Sequence, residues 1–275
     1  MRREGFVRTA RGLGLHGHAC WLYGDEEEFR TGTLAFLEDG VELGQRLMYV
    51  AAGSVERLRG DLEGLRGLDT MLGAGGLRIM PLENAYEVGR PVDPIAQLTM
   101  YSAATSAALV DGYTGLRVVA DVTSLVLDAE LWPSHTHWEC VADRYMAKNP
   151  MAALCCYDRR ALPDAILGDL ACVHRTSNRP AEIAPFHLYA GREGLALSGE
   201  VDAFSADDLR RLLDTATAPG ADLVLELDQL EFIDHHGLMA IADHAAALAK
   251  AGHSVDFRGA PPSFDKLSEL LEVRM

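Results

Sequence analysis

Largely apolar runs alternate along this chain with longer stretches in which apolar residues recur every three to four positions. The runs fall at residues 16–23 (HGHACWLY), 46–52 (RLMYVAA), 77–81, 116–121 (LRVVAD) and 151–157 (MAALCCY). Their length and the absence of polar alternation predict strands buried on both faces. Between them, residues 25–38, 55–65, 93–110, 131–148 and 163–174 read as helices. The first opens on the acidic residues Asp25, Glu26, Glu27 and Glu28, places Phe29, Leu34 and Leu37 on one face, and has Gly40 near its end. The third starts at Asp93-Pro94, with proline at the first helical position. Strict alternation of buried strands and helices predicts an α/β domain, a parallel sheet covered by helices. Residues 1–14 are basic and glycine-rich and read as a flexible arm, leaving 15–178 for this domain. Two prolines among polar residues place a linker at 179–185, and a second, smaller α/β domain at 186–275.

The second domain is organised around DLVLELDQLEFIDHHGLM, residues 222–239. Two short apolar pieces, 223–227 and 230–233, lead to the turn Asp234-His235-His236-Gly237, and then to a helical pattern with Leu238, Ile241, Ala242 and Ala245. Asp234 can cap that helix, because its carboxylate can accept from the free N–H groups of the first turn. A strand running into a helix N-terminus presents unpaired N–H groups and partial positive charge at the surface.

Composition narrows the function classes. Net charge is −16, which argues against a nucleic-acid surface or an anionic membrane and allows a basic protein partner. No apolar run is long enough to span a bilayer, and no apolar segment follows the basic N-terminus as a secretory signal requires. Five cysteines, an odd number, read as reduced thiols of a cytoplasmic protein.

Residues 195–213 (LALSGEVDAFSADDLRRLL), the 222–239 stretch and HSVDFRGAPPSFDKLSELLEV near the end resemble, in that order, a STAS domain, the fold of anti-sigma factor antagonists. The resemblance implies an anti-sigma factor or another STAS-binding protein as partner. It assigns partner contacts to Asp202, Asp234, His235, His236 and Gly237. Phosphoregulated members carry a Ser or Thr directly after the turn Asp; here His235 stands there, so the hydroxyl acceptor is missing. HGHACWLYGDEEEF, GQRLMYVAAG, GLRVVADVTSLVLD and MAALCCYDRRALPDAILGDLACVH resemble a MEDS domain, the sensory domain of methanogen and methylotroph regulators such as DcmR. That resemblance implies a RecA/KaiC-like fold and a small organic ligand.

Nucleotide chemistry is not expected. A phosphate loop needs glycines for close backbone approach, a Lys for the terminal phosphates and a hydroxyl for magnesium. After Tyr23 the chain gives GDEEEFRTGT, with no Lys and four consecutive carboxylates. Asp121 ends its run as a Walker B aspartate would, although an Asp there is common in any buried strand. Ligand contacts are assigned instead to His18, Cys20, Asp121, Trp138, Cys155 and His174, with Trp132 and Tyr145 adding apolar area. His18 and Cys20 alternate on one strand and point the same way. With Cys155 or Cys156 they could ligate zinc, iron or haem, but the spacing matches no closed zinc motif. The same residues equally suit a small hydrophobic core, so no metal or cofactor is assigned. The expectation is a sensor that is not an enzyme; the alternative is a metal- or thiol-dependent redox protein or enzyme using the His18/Cys20 pocket. Homo-oligomerisation stays open.

Overall fold

A computed structural model describes residues 5–179, 184–218 and 220–272. The first domain contains strands β1 (Gly5–Phe6), β2 (His18–Tyr23), β3 (Arg46–Ala51), β4 (Leu77–Pro81), β5 (Leu116–Asp121), β6 (Met151–Asp158) and β7 (Thr176–Ser177). Its helices are α1 (Glu26–Glu42), α2 (Val55–Asp61), α3 (Leu68–Ala74), α4 (Leu82–Ala85), α5 (Pro94–Val110), α6 (Trp132–Lys148) and α7 (Asp164–Val173). The strands form one sheet in the order β1-β7-β2-β6-β5-β3-β4, every pair parallel. Side-chain alternation splits each of β2 to β6 between two cores. Phe36 and Leu37 of α1 and Leu58 of α2 pack with Trp21, Tyr49, Val119 and Cys156 on one face. Tyr101 of α5, Trp138 and Met146 of α6 and Leu170 of α7 pack with Cys20, Val118 and Cys155 on the other. This is the α/β class expected from the apolar runs.

Two features depart from expectation. Of the segment read as a loose arm, residues 1–4 lie outside the described residues and 5–14 are docked: β1 pairs with β7, and Val7, Ala10 and Leu13 are buried in the α1-side core. These three residues recur at three-residue spacing and cover one edge of the sheet, which outweighs the local glycine content. α1 runs on to Glu42, past the end expected at residue 38, so that Gly40 lies within its last turn. A side-chain Cβ there would come within 2.5 Å of both Arg117 Cδ and Leu47 Cδ2, so glycine makes room for a buried arginine. Of the linker expected at 179–185, residues 180–183 lie outside the described residues.

The second domain consists of β8 (Phe186–Ala190), β9 (Leu195–Val201), α8 (Ala206–Ala216), β10 (Leu223–Ile233), α9 (His235–Lys250), β11 (Val255–Arg258) and α10 (Pro262–Leu270). Its sheet order is β11-β10-β9-β8, with β8 antiparallel to β9 and the other pairs parallel. The two apolar pieces at 223–227 and 230–233 belong to one strand, bulged between Glu226 and Gln229.

The two domains share one hydrophobic core. All five residues of β8 are buried, and Phe186 and Leu188 join Leu170, Cys172 and Val173 of α7 in the same cluster as Leu209 and Leu212 of α8. Polar contacts cross the joint. His137 Nδ1 lies 2.9 Å from the Thr215 carbonyl oxygen, and Arg211 pairs with Asp169. His187 Nδ1 lies 3.1 and 2.9 Å from the carbonyl oxygens of Ala171 and His174. Among the described residues no helix is long and apolar enough to cross a membrane.

Candidate functional site

Helix α6 carries a polar stripe on its buried side. His135, Glu139 and Asp143 follow at four-residue spacing, lie on one helix face, and are all at most 1% exposed. Strand β2 delivers His18 to this stripe, β6 delivers Cys155 and Tyr157, and the C-terminal end of α7 delivers His174. The register pairs Cys20 with Cys155 and His18 with Ala153, so His18 and Cys155 project from the same sheet face toward α6.

Glu139 is the centre of the cluster. Its Oε1 accepts from the Tyr157 hydroxyl at 2.7 Å and lies 3.1 Å from His135 Nε2. Its Oε2 lies 3.2 Å from His18 Nε2, 3.5 Å from Cys155 Sγ and 3.5 Å from His174 Nε2. Cys155 Sγ is also 3.5 Å from His18 Nε2. The far nitrogen of each inner imidazole is fixed: His18 Nδ1 lies 3.2 Å from Asp143 Oδ1, and His174 Nδ1 donates to the Leu170 carbonyl at 2.6 Å. The His18 and His174 rings lie 4.1 Å apart between centroids.

Electrostatics follow from this enclosure. Burial opposes ionisation of Glu139, yet the surrounding imidazoles of His135, His174 and His18 overcome it and hold the carboxyl well below the usual carboxylate range. Burial lowers the basicity of His18, but its contacts with Asp143 and Glu139 more than offset this and raise it. Burial, reinforced by the neighbouring His18, lowers that of His174. Burial and the Glu139 charge push the Cys155 thiol well up, so on its own it is no activated nucleophile.

The residues expected to meet at a ligand crevice are only partly brought together. His18, Cys155 and His174 converge. Cys20 shares their sheet face and is buried, with Glu139, Arg179, Cys172 and Ser177 influencing its thiol. Cys156 faces the opposite core. Trp138 is buried against Tyr101, with the rings stacked 6.0 Å apart, and lines no open crevice. Its apolar ring is buried for the same reason as the aliphatic residues around it. Asp121 sits on the α1 side of the sheet, at the C-terminal end of β5. There its carboxylate accepts from the Tyr23 hydroxyl at 3.0 Å and the Thr123 hydroxyl at 2.7 Å. The inner cluster also departs from the strand C-termini, because His18 is the first residue of β2.

The turn after β2 is occupied by its own side chains. Asp25 caps α1 by accepting from Glu28 N, and Glu28 Oε2 accepts from Gly24 N at 2.8 Å and from Arg159. Gly24 has Arg159 packed so closely that a Cβ would meet its guanidinium at 2.3 Å. The amides that would cradle a phosphate are thus bound by carboxylates.

In the second domain, the ends of β9 and β10 lie side by side, joined by a bond from Asp234 N to the Val201 carbonyl at 3.0 Å. Asp234 Oδ1 caps α9, accepting from His236 N at 2.8 Å and Gly237 N at 3.0 Å. Burial opposes ionisation of Asp234, but these bonds prevail and its carboxyl lies below the usual range. His235 and His236 are exposed, with rings 3.8 Å apart. Asp202 turns its carboxylate onto its own turn, accepting from Phe204 N at 2.9 Å and the Ser205 hydroxyl at 3.1 Å. Gly237 is not a surface contact. It is buried, and a Cβ would meet Val201 Cγ1 at 2.7 Å and Ile233 Cγ1 at 2.8 Å, so glycine lets α9 approach the sheet. Large apolar side chains surround the turn in the open: Phe204 is 94% exposed and Phe232 49%.

Residues 17–175, more than half of the chain, match the model of the methanogen/methylotroph DcmR sensory domain. The chain belongs to the MEDS family. Its MEDS domain is followed by a match to the "Mlab, STAS domain" model over residues 190–274. No curated protein matches at significant similarity. Among solved structures, the flagellar accessory protein FlaH from Methanocaldococcus jannaschii is similar at 11% identity, over 67% of this chain and 77% of that one. Its TM-score of 0.35 is too low to support any inference. Within the MEDS domain, the sequence pattern points to His18, Cys155 and His174 but not to Glu139, Asp143 or Tyr157.

Proposed function

We propose that this MEDS–STAS chain is a signalling protein in which the state of the MEDS domain is passed to the STAS surface. One observation carries the reading. The Asp143 carboxylate is shared between the domains: Oδ1 holds His18 Nδ1 at 3.2 Å, and Oδ2 accepts from Ala190 N, at the end of STAS strand β8, at 2.7 Å. The His174 carbonyl contacts His187 of the same strand. Anything that moves His18 or His174 must therefore act on β8. The exposed turn of Asp234, His235 and His236, flanked by Phe204 and Phe232, supplies charge and apolar area for a protein partner such as an anti-sigma factor.

We propose further that this STAS turn is not switched by serine phosphorylation. His235 offers no hydroxyl, and a phosphate added elsewhere on the turn would bring about −1.5 to −2 of charge beside Asp202 and Asp234. Incubation with an anti-sigma-type serine kinase and ATP is expected to leave residues 198–240 without phosphate by mass spectrometry. Phosphate on His235 or His236, or stoichiometric phosphate on Ser205 with loss of partner binding, would overturn this.

Neither nucleotide turnover nor thiol catalysis is part of this reading. The self-capped α1 N-terminus and the Glu28–Arg159 pair occupy the place of the phosphates, and the domain has no phosphate-loop Lys. ATP hydrolysis by the purified protein is expected at background. Magnesium-dependent hydrolysis abolished by Asp121→Ala would contradict it.

A further inference from the structure

We propose that His18, Cys155, His174 and Glu139 form a closed binding site for one divalent transition-metal ion, zinc being the ion they fit best. Their donor atoms all lie within 4.8 Å of one another. Four of the six edges are 3.2 Å from His18 Nε2 to Glu139 Oε2, 3.5 Å from Cys155 Sγ to each of these atoms, and 3.5 Å from His174 Nε2 to Glu139 Oε2. A tetrahedral ion with bonds of about 2.0–2.3 Å separates its ligand atoms by about 3.3–3.6 Å. These four edges lie close to those dimensions, and the remaining two, from His174 Nε2 to His18 Nε2 and to Cys155 Sγ, are within 4.8 Å.

Proton placement points the same way. Leu170 can only accept, so His174 carries its proton on Nδ1, while His18 lies between Asp143 Oδ1 and Glu139 Oε2, each 3.2 Å from one of its nitrogens. As a neutral ring, His174 therefore turns its Nε2 lone pair toward the lone pairs of Glu139 Oε2, 3.5 Å away. His174 Nε2, in a fully buried ring, has no hydrogen-bond partner among the described residues. Protonating both rings instead would bury two positive charges in imidazoles 4.1 Å apart. A cation between the lone pairs resolves the conflict.

Charge and outer contacts fit as well. When the ion binds, Cys155 Sγ gives up its proton to solvent and becomes a thiolate ligand. One divalent ion, one thiolate and one carboxylate sum to zero, which suits a dry interior. Asp143 and the Leu170 carbonyl orient the two imidazoles, and Tyr157 and His135 occupy Glu139 Oε1, leaving Oε2 as the single carboxylate donor. Four protein ligands leave no open position, so the site holds or senses the ion rather than performing chemistry with it. The ion would join β2, β6, α6 and α7. This proposal stands independently of the signalling reading.

The full chain would be purified without chelator, its metal counted by mass spectrometry, and the ion exchanged for cobalt(II). Expected are close to one ion per chain, the intense visible bands of four-coordinate cobalt, and a thiolate-to-cobalt charge-transfer band. Cys155→Ser should remove the charge-transfer band and weaken binding at least tenfold, while Cys20→Ser leaves both intact. X-ray absorption on the unmutated protein needs no variant, and should show one sulfur with nitrogen and oxygen neighbours. The idea is overturned by protein that takes up neither zinc nor cobalt, by a sulfur-free shell, or by binding that survives Cys155→Ser. Binding lost instead when His235 and His236 are replaced by Ala would place the ion on the exposed turn, and also overturns it.

Discussion

Asp143→Ala is expected to destabilise the protein by about 3–5 kcal/mol, the range for removing one partner from a buried, charged contact. Two groups lose their acceptor at once: His18 Nδ1 in the MEDS domain and the Ala190 amide in the STAS domain. Both are buried, and each unsatisfied donor costs about 1–3 kcal/mol. For a chain of this size, the melting temperature should fall by roughly 10 °C. Asp143→Asn separates the two roles. Its amide oxygen can still accept from Ala190, while its NH2 can only donate, so His18 Nδ1 must become an acceptor and the ring's proton sit on Nε2. Hydrogen exchange distinguishes the variants: the Ala190 amide should lose protection in Asp143→Ala and keep it in Asp143→Asn. Wild-type protection and stability in Asp143→Ala would break the proposed route between the domains.

The second large effect is expected at Arg117, whose side chain is fully buried within β5. Its guanidinium donates to the Phe36 carbonyl at 2.7 Å and Gln45 Oε1 at 2.8 Å, stacks over the Phe36 ring at 3.8 Å, and lies 3.6 Å from Asp39. Burial, only partly offset by Asp39, pulls its pKa down to about 10, so the charge itself is costly to bury. Arg117→Ala removes a large buried side chain and should cost about 3–5 kcal/mol, as other large-to-small core changes do. Arg117→Met fills most of the same volume without the charge, and should recover more than half of that loss. Denaturant unfolding of the two variants decides the matter. Equal losses would mean that the ionic contacts, not the packing, dominate.

The strands and helices that bury apolar surface along one stretch of chain are legible in the sequence. The apolar runs at 77–81 and 116–121 have the bounds of β4 and β5. What escapes is specified by tertiary context. β1 and β7 are two-residue strands held by their neighbours, and Phe186–Ala190 is a strand because α6, α7 and β9 surround it. The candidate site divides the same way. His18, Cys155 and His174 attract notice by residue type alone. Glu139 and Asp143 do not, because acidic residues on a helix normally face water. A signal was present: His135, Glu139 and Asp143 share the helical arc of Ala142 and Met146, which marks the buried side. Trp138 misleads for the converse reason, since an aromatic residue serves a core as readily as a ligand pocket.

The complete burial of β8 bears on how such a chain could diverge. A fission of the gene at the joint would leave each half with a bare apolar face, and the STAS half with an uncovered strand edge, a template for aggregation. Recombination that swaps one half for another module would have to replace the helices flanking that strand as well. The two halves are thus expected to be inherited together, with substitutions in Phe186, Leu188 and Ala190 tracking those in Leu170, Cys172 and Val173 across descendants.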